Sequence, residues 1–330
     1  MKAVIVNEPG GLEALTWGDA PDPDCAPDEV VIQVAAAGVN RADVMQRQGH
    51  YPPPKGITDI IGLEASGTLI EVGSEVTEWH VGDQVCALLA GGGYAERVNV
   101  PAVQVLPLPK GLSLIEGAAL TEVVCTVWSN LWAPFSPARL ERGETLLVHG
   151  GSSGIGTMAI QMALAKGNPV IVTVGTEEKA AYCEQLGATS INYRTEDFVT
   201  RTRELTDGRG ADVILDIMGA KYLDRNIDAV APDGRIVTIG LQGGTTAELK
   251  IGKMLGKRVT YAATSLRGRP IHGPRSKSAV IAGVLDDVWP MISSGEIKPT
   301  IDSTMPMTDV RRAHERIESS AHIGKIILTN

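Results

Sequence analysis

The chain lacks several features that would fix its class at once. Among its 330 residues no apolar run approaches the ~18 needed to span a bilayer, so no membrane partner is expected. The segment Met1 to Asn7 is too short for a signal-peptide core, which predicts a cytoplasmic protein. The net charge is −9 and no stripe of Lys and Arg occurs. Nucleic acid is therefore excluded as a partner, because phosphate contacts need clustered cations. Cys25, Cys86, Cys125 and Cys183 are scattered without a Cys-x-x-Cys pair, so neither a disulfide framework nor a zinc cluster is expected. The six histidines are dispersed. There is no internal repeat and no low-complexity linker. A length of 330 residues with 43% hydrophobic and 21% charged content predicts two ordinary globular domains.

The most informative stretch is ETLLVHGGSSGIGTMAIQMALAKG, residues 144 to 167. Thr145 to Val148 form an apolar strand. Ile155, Met158, Ala159, Met162 and Ala163 then repeat at helical spacing, and Gly167 and Pro169 stop the helix. Between strand and helix, Gly151, Gly154 and Gly156 permit a sharp turn, bring backbone close to phosphate and let the helix pack on the sheet. A pyrophosphate can then sit on the helix N-terminal amides around Gly154, Ile155 and Gly156. The hydroxyls of Ser152 and Ser153 either satisfy the turn's own backbone or reach the same phosphates.

Two rivals share these letters. Gly150-Gly-Ser152-Ser-Gly154 matches the Gly-x-Ser-x-Gly elbow of an esterase, with Asp216 and His272 as its remaining partners. That reading leaves Gly156 and the β-α alternation downstream unexplained. A short-chain dehydrogenase would need a helical Tyr-x-x-x-Lys; Tyr51 to Lys55 encloses three prolines and cannot be helical.

An NAD-binding fold places Asp or Glu about 20 residues past the glycines to hold the ribose hydroxyls. Here the strand Val170 to Val174 ends in Gly175, which leaves room for a 2′-phosphate. Thr176, Lys179, Tyr193 and Arg194 follow as phosphate partners, with Glu177 and Glu178 opposing them. The pattern favours NADP(H).

From residue 144 to about 265 strands alternate with helices, at 145–149, 170–174, 189–193, 212–217, 235–240 and 258–264, which predicts an α/β, doubly wound parallel sheet. Residues 1 to 121 show short strands broken by turns, consistent with a mostly antiparallel barrel. The tail, 266 to 330, ends in a helix-like VRRAHERIESS and the strand GKIILTN, which would rejoin the first domain. The nucleotide domain, 122 to 265, is thus inserted in a substrate domain. A cleft between the two is the expected reaction site.

Taken together, GVNRADVMQRQGHYPPP (38–54), GLEASGTLIEVG (62–73), HGGSSGIG and HIGKIILTN resemble the zinc-free quinone oxidoreductases of the medium-chain dehydrogenase/reductase superfamily. The resemblance spans essentially the whole chain. It implies a GroES-like, mostly β catalytic domain around a Rossmann domain, NADPH as hydride donor, quinones as acceptors and a homodimer paired through the edge at Lys257 to Thr264. It further implies that Asn40 and Tyr51 lie at the nicotinamide and quinone, and that Ser153 contacts the cofactor and matters for activity. Lys179 and Tyr193 would hold the 2′-phosphate, and Leu241 and Leu266 would line the nicotinamide. Relatives of the bacterial quinone reductase type carry an arginine that aids phosphate binding where this chain has Ser320, which places more of that load on Lys179.

Zinc-dependent relatives bind their metal through a cysteine and the histidine of Gly-His-Glu. Gly62-Leu63-Glu64 lacks that histidine, and Arg41 or Ala42 stands where a cysteine is wanted, so no metal is expected. Several of these residues also have plainer roles. Asn40 fits the N-cap of a helix over RADVMQRQ, Tyr51 fits loop packing, Arg41 and Asp43 fit a structural pair, and Glu64 fits a buried support. His149 reads as structural. An enoyl or other conjugated-carbonyl reductase would use the same cofactor geometry, and a non-catalytic NADPH-binding role, as in crystallin members of the family, is a further alternative.

Overall fold

Local sequence decides where each element begins. The computed structural model describes all 330 residues, which divide into two units, Met1–Cys125 with Leu266–Asn330, and Thr126–Ser265. The division falls inside a helix, after Cys125.

The first unit opens with a two-stranded antiparallel pair, β1 (Lys2–Val6) and β2 (Leu15–Asp19). Next come β3 (Glu29–Val39), α1 (Arg41–Arg47), β4 (Glu64–Val72), β5 (Gln84–Leu88), β6 (Arg97–Pro101), β7 (Val105–Pro107) and α2 (Leu114–Gly117). Helix α3 (Thr121–Leu131) follows. The second unit then holds β8 (Leu146–His149), α4 (Gly154–Ala165), β9 (Val170–Val174), α5 (Glu177–Gln185), β10 (Thr189–Asn192) and α6 (Phe198–Glu204). It finishes with β11 (Ala211–Asp216), α7 (Leu223–Ala229), β12 (Val230–Thr238), α8 (Ile251–Lys257) and β13 (Thr260–Ala263). The chain returns to the first unit through α9 (Lys277–Asp287), α10 (Trp289–Ser293), β14 (Ile301–Pro306), α11 (Val310–Glu318) and β15 (Lys325–Thr329).

In the first unit seven strands form a sheet of order β14-β15-β3-β4-β5-β7, with β6 also on β3. The pairings are antiparallel except for β14 beside β15. Strand β15 lies on β3 with Ile327 opposite Gly38 and Ile326 opposite Val39. Alternating apolar residues such as Val30, Ile32, Val34, Leu69, Val85 and Leu328 fill its core.

In the second unit six parallel strands run β10-β9-β8-β11-β12-β13. Counted from β8, this is the order 3-2-1-4-5-6 of a doubly wound dinucleotide fold, with its switch point beside β8. Strands β8, β9 and β11 are buried along their whole length, as befits a sheet covered on both faces. Strand β12 starts at Val230, five positions before the expected 235. Its opening residues Val230 and Ala231 are buried.

Candidate functional site

The turn after β8 is shaped by its glycines. Gly150 has φ +74°, in the region that side chains disfavour. A Cβ on Gly151 would lie 2.5 Å from Val172, and one on Gly156 would lie 2.4 Å from the carbonyl oxygens of both Gly150 and Gly151. A side chain of the next strand closes on the first position and backbone on the second, so only glycine fits. Ser153 is the N-cap of α4 and its Oγ accepts the Gly156 N–H at 3.0 Å, a cap worth about 1 kcal/mol. Thr157 N–H is taken by the Ser153 carbonyl. Of the first-turn donors, those of Gly154 and Ile155 have no intrahelical acceptor. Two open N–H groups at a positive helix end fit one phosphate anion.

Ser152 is buried, whereas an esterase nucleophile must be displayed. Asp216 accepts from Met218 N–H at 2.7 Å, Gly219 N–H at 3.0 Å and Thr238 Oγ1 at 3.0 Å. That carboxylate is committed to closing the turn after β11, so the hydrolase reading has no acid to orient a histidine. His149 is buried, with its ring nitrogens on Thr173 Oγ1 at 3.1 Å and Asn226 Oδ1 at 2.7 Å and its ring packed edge-on to Phe198 and Tyr222. It ties β8 to β9 and α7.

At the end of β9 the structure gathers the second cluster. A Cβ on Gly175 would stand 2.6 Å from Tyr193 Oη, so the phenol lies directly over the glycine. Thr176 caps α5 by accepting Lys179 N–H at 3.3 Å, which sets Lys179 one helical turn away. Glu177, which threatened to oppose a phosphate, is held by Asn192 Nδ2 at 2.6 Å. Leu241 is exposed beside Gly219, while Leu266 is buried in the first unit.

In the first unit Asn40 does cap a helix: its N–H donates to Asp43 Oδ2 at 2.8 Å, and Asp43 N–H donates to the Asn40 carbonyl. Its amide is also spent inside the protein. Oδ1 accepts from Lys325 Nζ at 2.7 Å, and Nδ2 donates to Glu64 Oε1 at 3.0 Å and to the Gly38 carbonyl at 3.3 Å. Glu64, fully buried, further accepts from Lys325 Nζ at 2.5 Å and from Glu122 N–H at 2.9 Å. The pairing of Arg41 with Asp43 is not formed. Arg41 donates instead to the Ile317 carbonyl at 2.8 Å and Ser320 Oγ at 3.3 Å, and Asp43 receives Tyr94 Oη at 2.9 Å. Burial raises Asp43 to about 6, against the lowering effect of its hydrogen bonds from Asn40 and Tyr94.

These residues do not fit a zinc ion. Leucine occupies position 63, Glu64 is neutralised by an ammonium, and no group of three His, Cys, Asp or Glu side chains converges anywhere in the chain. Sequence reasoning passed over Lys325, Tyr94 and Arg267. For Lys325 the signal was present, a lysine opening an otherwise apolar strand.

Tyr51 lies in the segment between α1 and β4, which has neither helix nor strand. Its ring faces the guanidinium of Arg267 at 5.1 Å from the ring centroid.

A glycine-turn dinucleotide unit of order 3-2-1-4-5-6 inside a chain whose ends share another sheet defines a pyridine-nucleotide dehydrogenase/reductase. Comparison with known proteins agrees. Residues 26–110 match the family model "Alcohol dehydrogenase GroES-like domain" and 154–279 match "Zinc-binding dehydrogenase". The chain is 31% identical to a quinone oxidoreductase of Pseudomonas aeruginosa over 97% of its length and 96% of that protein's. It is 28% identical to a 2-haloacrylate reductase of a Burkholderia species over 99% and 98%. The solved Escherichia coli quinone oxidoreductase complexed with NADPH superposes with a TM-score of 0.89 at 30% identity, covering all of both chains. The chain belongs to the quinone oxidoreductases of the medium-chain dehydrogenase/reductase superfamily, and it is an oxidoreductase.

Proposed function

We propose that this chain is an NADPH-dependent quinone reductase that uses no metal. The nucleotide assignment is carried by the end of β9, where Gly175 stands in place of a carboxylate with Tyr193 over it and Thr176 and Lys179 beside it. A negative side chain there would oppose a 2′-phosphate by about 4 kcal/mol at 4 Å and an effective dielectric of 20. The E. coli relative complexed with NADPH supports the same choice. Gly151, Ser152, Ser153, Gly154, Ile155 and Gly156 would hold the pyrophosphate, Lys179 and Tyr193 the 2′-phosphate, and Asn40, Leu241 and Leu266 the nicotinamide end. When bound, NADPH supplies a hydride.

The protein's own work is to orient the acceptor and to meet the charge that develops on its oxygen. Tyr51 is the group we assign to that oxygen, as a hydroxyl donor. Asn40, with its amide pinned by Lys325 and Glu64, acts as a rigid wall rather than a mobile donor. Quinones are assigned as acceptors from the quinone oxidoreductase relatives. The 2-haloacrylate reductase relative favours a second reading, reduction of a conjugated carbonyl.

We also assign a homodimer. Strand β13 is an outer strand of the parallel sheet, and Ile251, Leu255 and Tyr261 on α8 and β13 are exposed at 69%, 77% and 37%. An open edge beside exposed apolar side chains is completed by a second copy.

The test is spectrophotometric oxidation of NADPH, against NADH, with a series of quinones and enones. Turnover of quinones with NADPH is expected. Reduction of enones alone would move the assignment to the second reading, and tight NADPH binding without turnover on any acceptor would make it a non-catalytic protein.

A further inference from the structure

The segment bearing Tyr51 holds Pro52, Pro53 and Pro54, which offer no N–H to a ladder, and no strand or helix forms between residues 50 and 60. Buried Arg267 is one of the side chains that hold it, beside the Gly92 N–H that donates to the Ile60 carbonyl at 2.7 Å. Arg267, 5% exposed, donates Nη1 to the Tyr51 carbonyl at 3.2 Å, Nη2 to Gln46 Oε1 at 2.8 Å and Nε to the Ala90 carbonyl at 2.7 Å. Gln46 in turn donates to the Asp59 carbonyl at 3.0 Å, pinning the far end of the same segment. The guanidinium also stacks against the Tyr51 ring at 5.1 Å.

All three acceptors of Arg267 are neutral oxygens; the Asp43 and Glu122 carboxylates act on it from beyond ion-pair distance. Burial lowers its pKa from the ordinary guanidinium range, against the opposing pull of Tyr51, Asp43 and Glu122. A buried cation with no ion-pair partner in contact is expensive, and an apolar side chain of similar volume would fill the space at less cost. A guanidinium in that setting can act on the group it faces, the Tyr51 ring.

We propose that Arg267 is a positioning residue of the acceptor site: it fixes Tyr51 in place, and its charge, lying against the Tyr51 ring, favours hydrogen bonding from that hydroxyl to an acceptor oxygen that becomes negative on reduction. This rests on the assignment of Tyr51 as the acceptor-side donor. The site then favours acceptors whose reduced form is an oxyanion, quinones and conjugated carbonyls, over neutral-product substrates.

The experiment is a double-mutant cycle of Arg267→Met and Tyr51→Phe, read as kcat/KM for a quinone and as NADPH Kd by fluorescence titration. Arg267→Met is expected to lower quinone kcat/KM roughly 10- to 100-fold, the range of a hydrogen bond to a charged group, with NADPH Kd unchanged. In the Tyr51→Phe background the same substitution should cost no more than about 3-fold, because its effect passes through the phenol. Arg267→Lys, which keeps the charge without the fork, should recover part of the loss and serves if the Met variant does not fold. Equal cost of Arg267→Met in both backgrounds, with Tyr51→Phe itself impaired, would overturn the role of Arg267 and leave that of Tyr51 standing. A Tyr51→Phe enzyme with unaltered quinone kcat would overturn the Tyr51 assignment and this inference with it. A raised NADPH Kd in Arg267→Met would show a general structural fault and overturn the proposal as well.

Discussion

Lys325 Nζ lies 2.5 Å from Glu64 Oε1, and the two side chains are 4% and 0% exposed. An ammonium and a carboxylate thus share one buried space, and the amide of Asn40 bridges them. The pair neutralises itself where zinc-dependent relatives need open ligands.

Removing one partner strands the other. Lys325→Met is expected to destabilise the protein by about 3 to 5 kcal/mol, as for other broken buried pairs. Thermal melting should show the loss, and the double variant Lys325→Met with Glu64→Gln should regain much of it. A Lys325→Met protein that melts with the parent would show that Glu64 needs no counter-charge.

Acid stability depends on two buried groups of opposite sign. His314 is lowered from 6.5 to about 3 by burial, with Arg47 and Arg41 adding to the shift. Its neutral form faces Arg47 Nη1 at 3.4 Å. The unfolded chain therefore takes a proton below 6.5 that the folded one refuses until about 3, and stability falls across that window by up to about 1.4 kcal/mol per pH unit. Asp43, raised from 3.8 to about 6, works the other way: the folded chain protonates first, so its contribution is full below 3.8 and lost as pH rises through 6. His314→Asn should flatten the decline between pH 6.5 and 4, and Asp43→Asn should steepen it between pH 6 and 4. Denaturation midpoints measured at several pH values check both slopes, and parallel curves for all three proteins would contradict the assignment.

The proposed 2′-phosphate site comprises few groups. Gly175→Asp sets a carboxylate beside the proposed 2′-phosphate and should weaken NADPH at least about tenfold relative to NADH. Gly175→Ala controls for the 2.6 Å approach of its Cβ to Tyr193 Oη. Lys179→Ala should raise NADPH KM roughly 10- to 150-fold, the equivalent of about 1.5 to 3 kcal/mol for a charged hydrogen bond. An unchanged KM would remove Lys179 from the site.

The donor set around Glu64 is poorly suited to zinc, and metal independence is the expected outcome. Activity should survive exhaustive dialysis against a chelator. Loss of activity that zinc restores would show that ligands assemble in a way these side chains do not suggest.

The β8–α4 turn was readable in the sequence because its causes are local. Gly150, Gly151 and Gly156 are required by contacts within the turn or with the next strand, and Ser153 caps the helix that it begins. Gly175 was equally plain, since an absent carboxylate is visible in the letters. Asn40 as a helix cap could be read too, but not that its amide is consumed, because Lys325 lies 285 positions away in the chain. The same holds for Arg267, 216 positions from Tyr51, and for Tyr94, 51 positions from Asp43. Sequence by itself determined the turns, caps and periodic faces, whose energies come from neighbours within a few residues. Only the tertiary structure decided which buried charges meet, because burying an ion is tolerable only beside a partner that the fold, through β15 on β3 and the chain's return after residue 265, brings from far along the chain.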